Sequence, residues 1–439
     1  MNDMANPTRA DRSSEIFASQ KDFLFPCVGH LYKEPVVLVR GEGMHVWDAD
    51  GRQYLDFFSG ILSTSLGHCH PRIVSAISEQ AAKLGHTSTL YVTEPQVEAA
   101  RRLAEIAPGN LTKSFFSNSG SEAIDTAIML ACIHSGRSEV IALRSGYHGR
   151  STLATNLTGL SSWRPLPSYL PNIKHTIAPY PYRCRFGADC EKECAEKCAQ
   201  DLEEVILTTT NGKPAAFLAE TIQGAGGFID PPSGYHQRVA EIIRGFGGLL
   251  IIDEVQAGFG RTGKWFGIQH WDVVPDIMVM AKGIAGGMPV GATITTDEIA
   301  ASWTSKTIST FGGNPICMAA MAETLKVMVE EDVPANAEAR GRQLKEGLHE
   351  LAHEFAWIGN IRGMGLMRGV ELVKDRESKE PDATRTGALM EATKDEGLLV
   401  GKAGLRDNVI RFGPSLLVTE EEVKDCLNRF RKACLQVGG

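Results

Sequence analysis

The chain has 439 residues, 43% of them apolar and 22% charged, with a net charge of −8. A chain of this length divides into roughly two or three domains and can bury about three quarters of its unfolded surface. The acidic balance argues against nucleic-acid and anionic-membrane partners, and no stretch approaches the ~18 apolar residues of a membrane span.

The polar start, Met1 to Ser14, has no apolar signal core and reads as a mobile arm. Asp3, Asp11 and Glu15 interrupt it, which is unlike an acid-poor transit peptide and makes the cytoplasm the expected location. Val36-Val37-Leu38-Val39 and His45-Val46-Trp47 flank Gly41-Glu42-Gly43 as a hairpin. Pro71 opens a helix, so Gly67-His68-Cys69-His70 is read as the loop feeding it and not as a metal site. From about residue 66 to 312, strands and helices alternate in the pattern of an α/β domain with a parallel sheet. Ser114-Phe115-Phe116 is a short strand, and Glu122 to His134 carries apolar residues at helical spacing. Between them lies Ser117-Asn118-Ser119-Gly120-Ser121. A helix start of this kind offers free N–H groups and the positive dipole end to a phosphate, the hydroxyls of Ser119 and Ser121 add donors, and Gly120 permits close approach. Ser and Gly there could equally be a cap and a turn.

Four of the ten cysteines fall in one insertion, residues 184–198. On a helix Cys190, Cys194 and Cys198 share a face, and with Cys184 they could form a Cys₄ zinc site. The spacing is not the usual C-x₂-C pair, and thiols packing an inserted helix, or a disulfide, explain the same residues; the packing reading is preferred. Further on, Ala215–Ala219 is an apolar strand ending in Glu220. Gly224-Ala225-Gly226-Gly227 lacks the spacing and the following helix of a dinucleotide loop.

The most informative pair follows. Gly248-Leu249-Leu250-Ile251-Ile252 reads as a buried parallel strand ending in Asp253, and Asp276 to Ala281 as another, closed by Lys282. In an open α/β sheet the ligand crevice lies outside the carboxyl ends of the strands, so both side chains should enter one pocket. A Schiff-base lysine with an acidic partner for a pyridinium nitrogen means pyridoxal 5′-phosphate. From Pro315 two long helices lead to strands at Ile358–Gly363, Leu366–Leu372 and Val409–Phe412, with a charged exposed loop at Val373–Thr386. The expected division is an N-terminal segment (1–65) joining the small domain, a large cofactor domain (66–312) and a C-terminal small α+β domain (313–439).

The chain resembles the class III (ω-amino acid) aminotransferases of fold type I. The resemblance runs through Phe57-Phe58-Ser59-Gly60-Ile61, Gly67-His68-Cys69-His70-Pro71, Asn118–Ala123, Tyr147-His148-Gly149, Asp253-Glu254-Val255-Gln256, Ala281-Lys282-Gly283 and Thr310–Pro315. Within the class it is most similar to alanine–glyoxylate aminotransferases of the second type, with 4-aminobutyrate aminotransferases nearly as close. The resemblance implies a Lys282 aldimine and Asp253 at the ring nitrogen. Tyr147 and Val255 would pack on the ring's two faces, Gln256 would reach its phenolic oxygen, and His148 and Glu220 would support these groups. Thr310 would reach the phosphate of a neighbouring subunit in a homodimer or dimer of dimers. It further implies that Arg411 forks onto the substrate α-carboxylate, with Arg150 and Ile61 at the substrate, and a ping-pong transfer from an amino acid or ω-amino acid to a 2-oxo acid.

Departures from the family pattern narrow this. Ala225 stands where a second acid often pairs with the substrate arginine, and Thr221 replaces the usual proline. Both pull the reading from 4-aminobutyrate towards alanine, β-amino acids and pyruvate or glyoxylate. A lyase, decarboxylase or racemase on the same scaffold is the alternative, but decarboxylating relatives carry glutamine at the position of Ile61 and tryptophan at that of Tyr147. A non-catalytic sensor would carry a DNA-binding module, for which this length has no room.

Overall fold

The computed structural model describes residues 9–167, 169–187 and 191–438. Its centre is a seven-stranded sheet ordered Lys113–Ser117, Gly291–Thr295, Ile277–Met280, Leu249–Asp253, Ala216–Glu220, Val140–Leu143 and Ile173–Thr176. The last five pair in parallel, while Gly291–Thr295 runs antiparallel to both of its neighbours. The parallel strands are continuous apolar runs because helices cover both faces; Ile277–Met280 and Val140–Leu143 are buried at every position. Each fully buried Ile, Leu, Val or Met contributes roughly 1.5–3 kcal/mol, so these runs anchor the sheet. The fold is α/β, with a mainly parallel central sheet.

Register places the chemistry. Glu220 pairs directly with Asp253, and Asp253 with Val279, so the two acids and the chain leading into Lys282 end at one level. The helix Gly120–Ser135 begins at the same sheet edge, three residues after its strand.

Two four-stranded sheets complete the molecule. One orders Leu38–Glu42, His45–Asp48, Gln53–Asp56 and Leu398–Leu399, so the N-terminal segment pairs with C-terminal chain. The other orders Ile358–Met364, Met367–Leu372, Val409–Phe412 and Gly401–Ala403. The N-terminal hairpin is offset from its expected bounds. Its first strand spans Leu38–Glu42, with Glu42 opposite His45, so Gly41 and Glu42 are in the ladder and Gly43 (φ 56°) and Met44 make the turn. A two-residue hairpin turn of this kind needs positive φ, which Gly43 supplies.

The expected loop Val373–Thr386 is also shorter: Val373 is buried and bridges Pro381, and a helix begins at Ala383 with Asp382 capping Arg385 N. The helix Pro315–Glu330 packs on Pro71–Lys83 and Glu94–Ile106, before Val333–Glu354 turns to the sheet of Ile358–Met364 and Met367–Leu372.

In the insertion, the helix Glu191–Thr209 buries Cys194 and Cys198 one turn apart, and it packs against the helix Tyr235–Gly245. Cys184 packs half-buried on the same core, and Cys190 lies outside the described residues. Among the described residues no cluster of three His, Cys, Asp or Glu could hold a metal, and no helix is long and apolar enough to cross a membrane.

Candidate active site

A pocket of about 310 Å³ opens at the carboxyl ends of the central strands. Lys282 stands two residues beyond its strand with φ 49°, at the start of a tight turn Lys282–Ala285. This left-handed conformation is costly for a lysine and re-aims its side chain back over the strand ends. Gly283 must follow, since a Cβ there would lie 2.3 Å from Ser65 Oγ. Lys282 is half-buried, and desolvation pushes its amine down to about 8 against the opposing pull of Asp253 and Glu220; Arg411 adds to the lowering.

Asp253 is 5% exposed. Its Oδ2 accepts from His148 Nδ1 at 2.8 Å and its Oδ1 from Val255 N at 3.0 Å. Glu220 accepts from Tyr147 N (2.9 Å) and Gly224 N (2.7 Å), which ties the Tyr147 loop to the next strand. Burial, reinforced by the Asp253 charge, pushes Glu220 up to about 7. The neighbouring acid Glu254 turns away from the pocket: it accepts from Thr221 Oγ1, Gly267 N and Ile268 N, and is structural.

At the other end of the pocket Ser119 caps the helix Gly120–Ser135, accepting from Glu122 N. Ser121 Oγ accepts from Arg150 N at 3.0 Å. Both hydroxyl oxygens are thus used as acceptors, and both O–H groups remain available to an anion at the helix start. Gly149 makes this fit possible, since a Cβ at that residue would sit 2.2 Å from Ser121 Oγ.

Ser119, Gly120, Ser121, Tyr147, His148, Glu220, Asp253, Val255, Gln256 and Lys282 all line this one pocket. Arg411 lies just behind it. Its guanidinium is buried between Phe58 and Phe228, 5.1 and 5.3 Å from the ring centroids, and donates to Gly224 O at 3.4 Å. It has no ion pair among the described residues, and burial pushes it down to about 10, still cationic at neutral pH. Besides Arg411, three expected residues do not line the pocket: the Arg150 side chain is exposed, Ile61 is 45% exposed, and Thr310 is exposed on this chain. Ser63 and Gly287–Val290 line the pocket without having been singled out; the Gly286-Gly287 pair was their one local signal. Phe228 was equally unmarked, because its partner Arg411 is remote in sequence.

The donor set suits pyridoxal phosphate. A lysine with a depressed amine, an acid at the facing strand end and a phosphate-sized helix start share one cavity. Two buried polar atoms bordering it, His148 Nε2 and Gln256 Oε1, have no partner among the described residues. Gly224 leaves room for Gln256, whose Nε2 would be 1.9 Å from a Cβ at that residue.

The class-III aminotransferase family model matches residues 29–434. The chain belongs to the class III aminotransferases. It is 39% identical to alanine–glyoxylate aminotransferase 2 homolog 2, mitochondrial, of Arabidopsis thaliana, over 95% of this chain and 86% of that protein. It is also 39% identical to the acetylornithine aminotransferase of Methanopyrus kandleri, over 90% and 92% of the two chains. Among solved structures, an (S)-enantioselective ω-transaminase from Thermomicrobium roseum superposes with a TM-score of 0.90 at 33% identity, covering 97% of this chain and 98% of that one. The chain is therefore a pyridoxal phosphate-dependent transaminase with the fold of its class, acting on a small-molecule amino donor and a keto acid acceptor.

Proposed function

We propose that the chain moves an amino group from alanine, β-alanine or a related amino or ω-amino acid to pyruvate or glyoxylate, with 4-aminobutyrate and 2-oxoglutarate as the less favoured pair. The observation that carries this reading is Arg411: a buried guanidinium with no carboxylate partner among the described residues, beside a lysine whose amine is depressed to about 8. A buried unpaired charge is costly, and a substrate carboxylate forking onto it would relieve that cost. An acid at residue 225 would compete for the same guanidinium, but Ala225 has no acceptor in its side chain. Nothing at that position would mask Arg411 while an amine lacking an α-carboxylate binds.

Ser119, Gly120 and Ser121 would hold the cofactor's phosphate, with Thr310 contributed by a second copy; Tyr147 and Val255 would bracket its ring and Gln256 its phenolic oxygen. Bound pyridoxal phosphate supplies an aldehyde that condenses with amines and a ring that withdraws electrons from the substrate carbon. Asp253, held by His148, would keep the ring nitrogen protonated. Lys282 Nζ would hold the cofactor's aldehyde carbon and, once freed by the donor, would carry the proton between the substrate α-carbon and that carbon. Its depressed pKa leaves a usable fraction of neutral amine near pH 7–8. Glu220 fixes the loop bearing Tyr147. Arg150 would meet the distal end of a longer donor, and Ile61 would edge the entrance.

The active unit in this reading is a dimer. Leu90, Tyr91 and Val92 are exposed by 69, 68 and 89%, and Ile308 and Phe311 by 59 and 60%. The two segments are tied by Thr89 Oγ1 donating to Ser309 O. Such contiguous apolar exposure beside Thr310 fits a second copy.

Initial rates with each donor against each acceptor test the substrate reading. Parallel double-reciprocal lines with alanine or β-alanine and pyruvate or glyoxylate are expected. Strict dependence on 4-aminobutyrate and 2-oxoglutarate would contradict it.

A further inference from the structure

A second cavity, of about 590 Å³, lies on the far side of the segment Gln223–Gly226 from the catalytic pocket, between the insertion and the small domain. Arg144, Arg183, Arg185 and Arg406 reach it from three separate parts of the chain. Its two acids are already neutralised. Glu371 accepts from Arg183 and Arg362 at 2.6 Å each and from Tyr180 Oη, and Glu380 pairs with Lys374 at 2.6 Å. By contrast Arg144, Arg185 and Arg406 make no ion pair and donate no side-chain hydrogen bond among the described residues. Two buried atoms of the lining are also unpartnered, Arg183 Nη2 and Gln223 Oε1, the latter on a residue only 1% exposed. Ile177, Ile229 and Leu405 supply apolar wall between these polar groups.

We propose that this cavity is a binding site for a compact organic polyanion, a di- or tricarboxylate, distinct from the catalytic pocket. Three solvent-exposed guanidiniums converging on one concave space give a positive potential that a single carboxylate would leave uncompensated. Each guanidinium offers a planar fork that matches a carboxylate in two parallel hydrogen bonds. The volume is that of a small-molecule site, and the apolar wall favours a carbon skeleton over an inorganic ion. The inference does not depend on which amino donor the enzyme uses.

The two cavities share a wall. Gln223 and Gly226 line the second, while Gly224 accepts from Arg411 and donates to Glu220. A carboxylate probe could therefore enter either, and the test must separate them. Holoenzyme is titrated calorimetrically at low salt with citrate, succinate and inorganic phosphate. The parent chain is compared with the double variant Arg185→Ala/Arg406→Ala, whose positions are exposed and outside any ion pair, and with Arg411→Ala. The expected result is one saturable citrate site per chain, weakened by about tenfold or more in the double variant, the ~1.4 kcal/mol of one lost charge-assisted contact, and unchanged by Arg411→Ala. Succinate should bind more weakly than citrate but respond in the same way, with phosphate weakest. The proposal is overturned by no saturable citrate binding up to about 10 mM. It is equally overturned by unchanged affinity in a double variant that keeps its thermal midpoint, by loss of binding in Arg411→Ala, or by phosphate binding as tightly as citrate.

Discussion

Lys282 carries a large perturbation among the groups facing the catalytic pocket, and its direction has a measurable consequence. An ordinary lysine is neutral to only a small degree below pH 10, whereas burial brings this one down to about 8. Because only the neutral amine attacks an aldehyde, pyridoxal phosphate should load onto apoenzyme about tenfold faster per pH unit below 8 and level off above it. Stopped-flow absorbance checks this; a rise continuing undiminished to pH 10 would contradict the burial account. Lys282→Ala should fold, bind the cofactor without covalent attachment, and lose turnover by about 10²–10⁴-fold, the usual worth of a positioned proton carrier. At Arg411 the fork matters more than the charge. Arg411→Lys is expected to raise KM for the keto acid by about ten- to a hundredfold, from ~1.5–3 kcal/mol of lost charge-assisted bonding. An unchanged KM would place the substrate carboxylate elsewhere.

At the scale of elements, the segment Ser59–Leu62 departs most from what its composition favours. Ser59, Gly60, Ile61 and Leu62 have φ of 51, 59, 63 and 62°, a full left-handed turn that only Gly60 adopts without cost. Asp56 holds it: Oδ1 accepts from Phe58 N at 2.8 Å and Ser59 N at 2.9 Å, while Oδ2 meets His68 Nε2 at 2.8 Å. The turn sets Phe58 against the Arg411 guanidinium, so the strain lies beside that buried cation. Ile61→Gly removes a left-handed penalty of roughly 1–2 kcal/mol and adds roughly 0.5–1 kcal/mol of unfolded-chain entropy. The thermal midpoint should therefore hold or rise slightly; a fall of several degrees would show that the Ile61 side chain is needed for packing. This turn was illegible in the sequence, because β-branched Ile61 argues against positive φ and a lone Gly60 marks many ordinary turns. The central strands were legible for the opposite reason. Runs such as Leu249–Asp253 and Ile277–Met280 are buried on both faces, so their composition and their terminal acid and lysine stand out together. The antiparallel direction of Gly291–Thr295 was hidden, since direction depends on how the chain returns after Lys282 and not on which residues fill the strand.

Over the whole molecule, the candidate site groups come from chain positions between Ser119 and Arg411, and the central sheet's register together with the packing of the C-terminal strands brings them together. Arg261 shows how remote segments are held: fully buried, it donates to Leu366 O and Pro414 O, joining the chain after Leu249–Asp253 to two segments beside the sheet of Ile358–Met364, Met367–Leu372, Val409–Phe412 and Gly401–Ala403. Arg411 could be assigned before the fold was known only by resemblance, because nothing local marks Val409–Phe412 as facing Gly224. Thr310 is likewise assigned only by resemblance, and it is exposed in this chain. The central claim is that Lys282, Asp253 and Arg411 together make this chain an aminotransferase for small carboxylate-bearing donors. The most direct test is the visible spectrum of the holoenzyme before and after alanine, β-alanine or 4-aminobutyrate is added singly, with no keto acid. Stoichiometric loss of the lysine-linked cofactor band, with a matching rise of the amine form and one equivalent of keto acid, is the predicted result. Continuous product release from donor alone, with the original band retained, would contradict the account and point to a lyase, decarboxylase or racemase on the same scaffold.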